Sequence, residues 1–127
     1  ALQKLISDVK AKARSKRVLK GVDGRLLRVR SEHAALNVLL QSCGAIIMKR
    51  ALVILDTNLQ AAGLVPGQHY EFVANIHDEF QIQADTHLAE FIGQAAVRAI
   101  EQAGEHFRFR CKLTGEYKIG SNWKETH

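Results

Sequence analysis

Leu2, Leu5, Ile6 and Val9 recur at helical spacing, so the first stretch, to about Arg17, is predicted to be an amphipathic helix. The short apolar runs Arg17-Val18-Leu19-Lys20 and Leu26-Leu27-Arg28-Val29-Arg30 flank Gly21-Val22-Asp23-Gly24-Arg25. An Asp-Gly pair between apolar runs signals a β-hairpin. Ser31 is a suitable N-cap for a long helix to about Ala62, with Leu36, Leu39, Leu40, Cys43, Ile46, Ile47 and Ile54 as its apolar stripe. Gly63 supplies a left-handed helix end, and Pro66-Gly67 closes the turn behind it.

Alternation resumes at Tyr70, Phe72, Ala74 and Ile76 and again at Phe80, Ile82 and Ala84, predicting two strands around the bend His77-Asp78-Glu79. Asp85 or Thr86 can cap a third helix carrying Leu88, Phe91, Ile92, Ala95 and Ala99 and ending near Gly104. Phe107, Phe109, Cys111 and Leu113 then alternate with Arg108, Arg110 and Lys112. This pattern predicts a strand, turned at Thr114-Gly115 and continued by Tyr117 and Ile119. The order α-ββ-α-ββ-α-ββ predicts an α+β fold, an antiparallel sheet with helices packed on one face.

A length of 127 residues suits one domain, residues 1–127, with a modest core. Apolar content of 46% with a single proline argues for a packed globular chain. No unbroken apolar run of about twenty residues suggests a membrane span, and the basic start lacks a signal-peptide core. The expectation is a soluble, cytoplasmic protein with no membrane partner. Cys43 on a helix stripe and Cys111 in a strand read as buried reduced thiols. Ala1 in place of a methionine suggests a processed or truncated start.

The net charge of +5 is uneven, because residues 1–30 carry ten Lys and Arg against Asp8 and Asp23, and the remainder is net negative. The run containing Lys10, Lys12, Arg14, Lys16 and Arg17 suits neutralisation of phosphates along a nucleic acid, the alternative being a solvated helix face.

Two constellations could carry chemistry. Asp78 and Glu79 share a tight turn between strands, where both carboxylates cannot point into a core. Hard ions such as Mg²⁺ take one or two protein carboxylates plus phosphate oxygens, so the pair reads as half of a phosphoryl-transfer site or, alternatively, as a solvated hairpin tip. His33, Asn37 and Gln41 recur every four residues and set neutral hydrogen-bonding groups along one flank of the long helix. Such groups can donate to the minor-groove acceptors that every base pair offers, although a helix face simply exposed to water would also accept them. His69, His87 and His106 lack metal-ligand spacing, and zinc, P-loop and nucleophile-elbow motifs are absent from the sequence. Trp123 could stack on a base, but anchoring the chain end in the core is the expected role.

Taken in order, Lys20-Gly21-Val22-Asp23-Gly24-Arg25, Ser31-Glu32-His33-Ala34-Ala35-Leu36-Asn37-Val38-Leu39-Leu40-Gln41-Ser42, Ile76-His77-Asp78-Glu79 and Gly120-Ser121-Asn122-Trp123 resemble the last segment of A-family, polymerase I-like DNA polymerases, in particular bacteriophage replicative enzymes. The likeness runs from about residue 1 to His127. It implies a C-terminal palm segment in which Asp78 binds catalytic Mg²⁺, Glu79 supports it and His77 lies near the primer terminus. Asn37, Gln41 and His33, the last where some relatives have arginine, would face primer-template DNA in the minor groove.

The implied reaction is attack of a primer 3′-hydroxyl on the α-phosphate of a deoxynucleoside triphosphate. It requires an aspartate motif, a fingers helix and a sheet strand that precede this segment in the family. The expected partner is therefore the missing upstream polymerase segment, whether the chain is a truncation, a prophage remnant or half of a split enzyme. The rival readings are a non-catalytic DNA-binding or regulatory module on a palm scaffold, and a small metal-dependent hydrolase using Asp78, Glu79 and His87.

Overall fold

A computed structural model describes residues 2–126 and divides the chain into two compact units, one up to Ile46 and one from Ile47 onward. In the first unit α1 (Leu2–Lys16) leads into the antiparallel hairpin of β1 (Val18–Lys20) and β2 (Leu26–Arg28). Gly24 takes φ 89° at the bend, a conformation costly to residues with a Cβ. Asp23 fixes the turn by accepting from the backbone N–H of Arg25 at 3.1 Å and from its Nε at 2.7 Å. Desolvation opposes ionisation of Asp23, but these bonds prevail and hold its carboxyl below the ordinary value.

Val9 and Ala13 of α1 pack with Leu19, Val29 and Ala35 in the core of this unit. The expected helix stripe is therefore corrected: Leu2 and Leu5 are exposed, Ile6 is half-buried and only Val9 is buried. Ser31 caps a preliminary turn, its Oγ accepting from the Ala34 N–H at 3.3 Å, and α2 (Ala35–Ala61) starts one residue later.

α2 continues into the second unit, where Met48, Ala51, Leu55 and Leu59 form its buried stripe. Length and composition alone would let α2 cross a membrane, contrary to the expectation from unbroken apolar runs. Its interruption by Lys49, Arg50 and Asp56 hid this property, and Leu55 and Leu59 use the apolarity for a core. Gly63 ends the helical segment at φ 86° as expected.

β3 (Tyr70–Ile76) and β4 (Glu79–Ala84) form the second antiparallel hairpin, with an irregularity between Phe72 and Ala74. Tyr70, Ile92, Ala96 and Ala99 join Leu55 and Leu59 in the core of this unit. The Tyr70 hydroxyl donates to Asp56 Oδ1 at 2.6 Å, and burial followed by that bond pushes its phenol up to about 12. A 3-10 turn, Thr86–Leu88, precedes α3 (Ala89–His106). Neither Asp85 nor Thr86 makes a side-chain cap bond to α3, and Phe91 on its expected apolar stripe is exposed.

The α+β class matches the sequence reading. The described strands, however, form two separate two-stranded sheets, and residues 107–119 form no strand. They run against α3 instead. Gly104 lies under Leu113 and Gly93 under Tyr117, where an added Cβ would sit 2.9 Å from Leu113 Cγ and 2.6 Å from Tyr117 Cε2. Small residues on the helix let the segment lie flat, so its alternating side chains find a helix surface rather than a ladder. Cys111 is consequently exposed, and Cys43 is half-buried with its thiol raised by desolvation. Trp123, in the short α4 (Trp123–Thr126), is 46% exposed and does not anchor the chain end in a core.

Candidate active-site hairpin and nucleic-acid face

Ile76 pairs with Glu79, so His77 and Asp78 alone form the turn between β3 and β4. His77 has φ 55°, a positive value that favours glycine and that Asp78 does not share. A non-glycine residue held there stores backbone strain, a condition common at functional turns. The turn leaves Asp78 exposed at the tip and Glu79 half-buried on the first position of β4.

Gln81, two residues further on and hence on the same strand face, donates from Nε2 to Glu79 Oε1 at 2.9 Å. The two carboxylates present oxygen donors of the type Mg²⁺ prefers and could fill part of its octahedral shell. Among the described residues no group of three or more His, Cys, Asp or Glu gathers to hold a metal, so the pair fits a shared site and not a closed one. His87 does not join it, which removes the ligand count the hydrolase reading needed.

A cavity of about 660 Å³ lies beside this hairpin, within the second unit. Asp78, Glu79, Gln81, Asn122, Trp123 and Thr126 are among its lining residues. Sequence reasoning assigned no role to Gln81 or Thr126, and the only signal available was the position of Gln81 on the same strand face as Glu79.

In the first unit His33, Asn37 and Gln41 are all exposed and make no side-chain hydrogen bond among the described residues. His33 lies in the turn preceding α2, while Asn37 and Gln41 stand one helical turn apart on α2 itself. Their polar groups face solvent and can take an external partner.

Lys12, Lys16 and Arg17 are likewise exposed near the end of α1. Arg14 is engaged, its Nε and Nη2 donating to both oxygens of Glu32 at 3.0 and 2.9 Å. Arg17 ends the helix at φ 52°, donating its N–H to Ala13 and accepting at its carbonyl from Val29 N–H. This bend draws Arg14, Arg17 and Arg30 around a cavity of about 200 Å³. Arg30 was not singled out from the sequence, because its approach depends on the hairpin returning the chain to α1.

The sequence model of the family described as DNA polymerase family A matches residues 4–125. The chain is 45% identical over 115 residues to a DNA-directed DNA polymerase of Enterobacteria phage T3, covering 88% of this chain and 16% of the relative. Over 115 residues it is 42% identical to the corresponding enzyme of Escherichia phage T7, with the same coverage of both. DNA polymerase I of Pseudomonas aeruginosa is 31% identical over 101 residues, covering 80% of this chain and 10% of that protein. A solved structure described as the POL domain of Pol1 from M. smegmatis in complex with DNA primer-template and dNTP superposes with TM-score 0.69 at 23% identity. That match covers 80% of this chain and 19% of the other and shows a shared fold. The chain thus spans only 16% of the length of its phage relatives.

Proposed function

The chain belongs to DNA polymerase family A, and we propose that it supplies the C-terminal palm segment of a DNA-directed DNA polymerase that extends a primer with deoxynucleoside triphosphates in DNA replication. The observation that carries this reading is the Asp78-Glu79 pair on a two-residue turn between hydrogen-bonded strands, since such a turn holds donors with little freedom. Asp78, exposed at the tip, is the direct Mg²⁺ ligand, Glu79 supports it and His77 lies near the primer terminus. When bound, paired divalent ions stabilise the attacking and leaving oxygens of an in-line displacement.

The chain's own residues bind and orient the substrate. Asn37 and Gln41, with His33 beside them, donate to minor-groove acceptors and so track the duplex without reading sequence. Lys12, Lys16 and Arg17 neutralise phosphates, and Arg14 does so after exchanging its Glu32 partner. The remaining metal ligand and the nucleotide-holding groups come from an upstream polymerase segment, the principal protein partner.

Residues 1–127 alone are expected to give no primer extension with Mg²⁺ and all four deoxynucleoside triphosphates, because two carboxylates neither close the metal shell nor position a nucleotide. Assembly with the upstream segment of a family A polymerase should restore extension. In that assembly Asp78→Ala should abolish turnover and Glu79→Ala should reduce it less. Template-dependent extension by residues 1–127 alone would overturn the shared-site reading, and undiminished turnover after Asp78→Ala would overturn the metal assignment.

A further inference from the structure

We propose that the C-terminal turn is a positioning latch for the hairpin carboxylate, in which Thr126 orients Gln81 and Gln81 orients Glu79. The proposal rests on the reading of Asp78 and Glu79 as a cation-binding pair. Gln81 Nε2 donates to Glu79 Oε1 at 2.9 Å, and Thr126 Oγ1 donates to Gln81 Oε1 at 3.2 Å, both in partly buried surroundings. The order of donors is set by chemistry. An ionised carboxylate only accepts, so the Gln81 amide must turn its nitrogen to Glu79, which leaves its oxygen facing a group that can donate. Thr126 supplies that donor from 45 residues away in sequence.

The latch is itself held in place. Asn122 Oδ1 accepts from the Glu125 N–H at 3.3 Å, while the Glu125 carboxylate accepts from the Ser121 N–H at 2.7 Å and from Asn122 Nδ2 at 2.8 Å. This reciprocal arrangement is a variant of the capping box, and it shapes the single turn that carries Thr126. The single Thr126 hydroxyl hydrogen also reaches the Trp123 carbonyl at 3.1 Å, so the two acceptors share it, and the Gln81 contact is the one that ties the turn to the hairpin. Gln81 needs no special backbone to reach Glu79, because residues two apart on a strand share a face. An apolar residue at position 81 would keep the strand and lose the relay. Glu79 would then be freer to leave the orientation in which it supports Asp78.

The test uses the 127-residue chain, with Mn²⁺ as the probe and NMR as the readout. Titrated Mn²⁺ should broaden the backbone amides from His77 to Phe80, and Thr126→Val should shift the Gln81 side-chain amide resonances even without Mn²⁺. Both Thr126→Val and Gln81→Leu should weaken Mn²⁺ binding by about threefold to tenfold, the scale of one ordinary hydrogen bond. Thr126→Ser, which keeps the hydroxyl, should restore it. The double variant should bind no more weakly than Gln81→Leu alone, since both changes act through one chain of contacts, whereas separate structural roles would add. Unchanged Gln81 amide resonances in Thr126→Val, or additive losses in the double variant, would overturn the latch. Absence of broadening in the unsubstituted chain would overturn the cation-site reading and the positioning role with it. The Gln81 resonances, which need no cation, tell that failure apart from failure of the Thr126–Gln81 contact.

Discussion

At His77 the backbone takes φ 55°, a conformation that a residue with a Cβ adopts only at a cost. His77→Gly should therefore make the chain more stable by about 0.5 kcal/mol, relief of the left-handed strain exceeding glycine's extra entropy loss. His77→Val should destabilise it by about 1 kcal/mol, because a β-branched residue fits that region worst. Urea unfolding checks both, and a stabilising valine would contradict the turn geometry. Asn37 and Gln41 present the opposite condition, exposed groups that make no side-chain hydrogen bond among the described residues. Replacing both by Ala in an assembled polymerase should leave its stability nearly unchanged and weaken primer-template binding, each lost bond costing about 0.5–1.5 kcal/mol. Fidelity should fall too, with little change in sequence dependence. An unaltered dissociation constant and error rate, from binding titrations and extension assays, would count against minor-groove contact.

Among the elements, α3 and the segment that follows it show how a helix surface can replace a β-ladder. Tyr117 crosses α3 at Gly93, and its hydroxyl donates to Glu90, whose carboxyl is lowered by that bond first and by Gln94 second. Glu125 is lowered likewise, by the Ser121 backbone N–H before the side chains of Ser121 and Asn122. A carboxyl whose folded value lies below its ordinary 4.5 contributes in full above that value and loses its contribution as pH falls through the lowered one. Acidification through this range should thus loosen the chain end, and the emission of Trp123, the single tryptophan, reports it. Glu125→Ala should show the loosened emission already at neutral pH. Gly93→Ala should displace Tyr117, since the new Cβ would lie 2.6 Å from its Cε2. Emission that stays constant through the acid range would contradict the capped turn.

Over the whole molecule the positive charge is local, concentrated in residues 1–30 within a chain of net charge +5. DNA affinity of an assembled polymerase should fall steeply with salt, and Lys12→Ala should reduce the slope of log affinity against log salt by about 0.9 if it meets one duplex phosphate. Arg14→Ala should reduce the slope by less, because Glu32 already offsets its charge. Fluorescence titrations over a salt series measure this, and an affinity independent of salt would remove the phosphate contacts. The sequence by itself determined what neighbouring residues can decide. Apolar spacing located the three long helices, Asp23-Gly24 and Gly63 marked backbone turns that need positive φ, and the two hairpins followed. Adjacency likewise placed Asp78 and Glu79 on one bend. Local pattern could not decide residues 107–119, because alternation suits an extended segment on a helix as well as a strand in a sheet, and only Gly93 and Gly104 on the facing surface of α3 separate the two. Nor could it pair Arg14 with Glu32 or Gln81 with Thr126. Those contacts depend on where the folded backbone returns after 18 and 45 residues, and periodicity along the chain carries no information about that return.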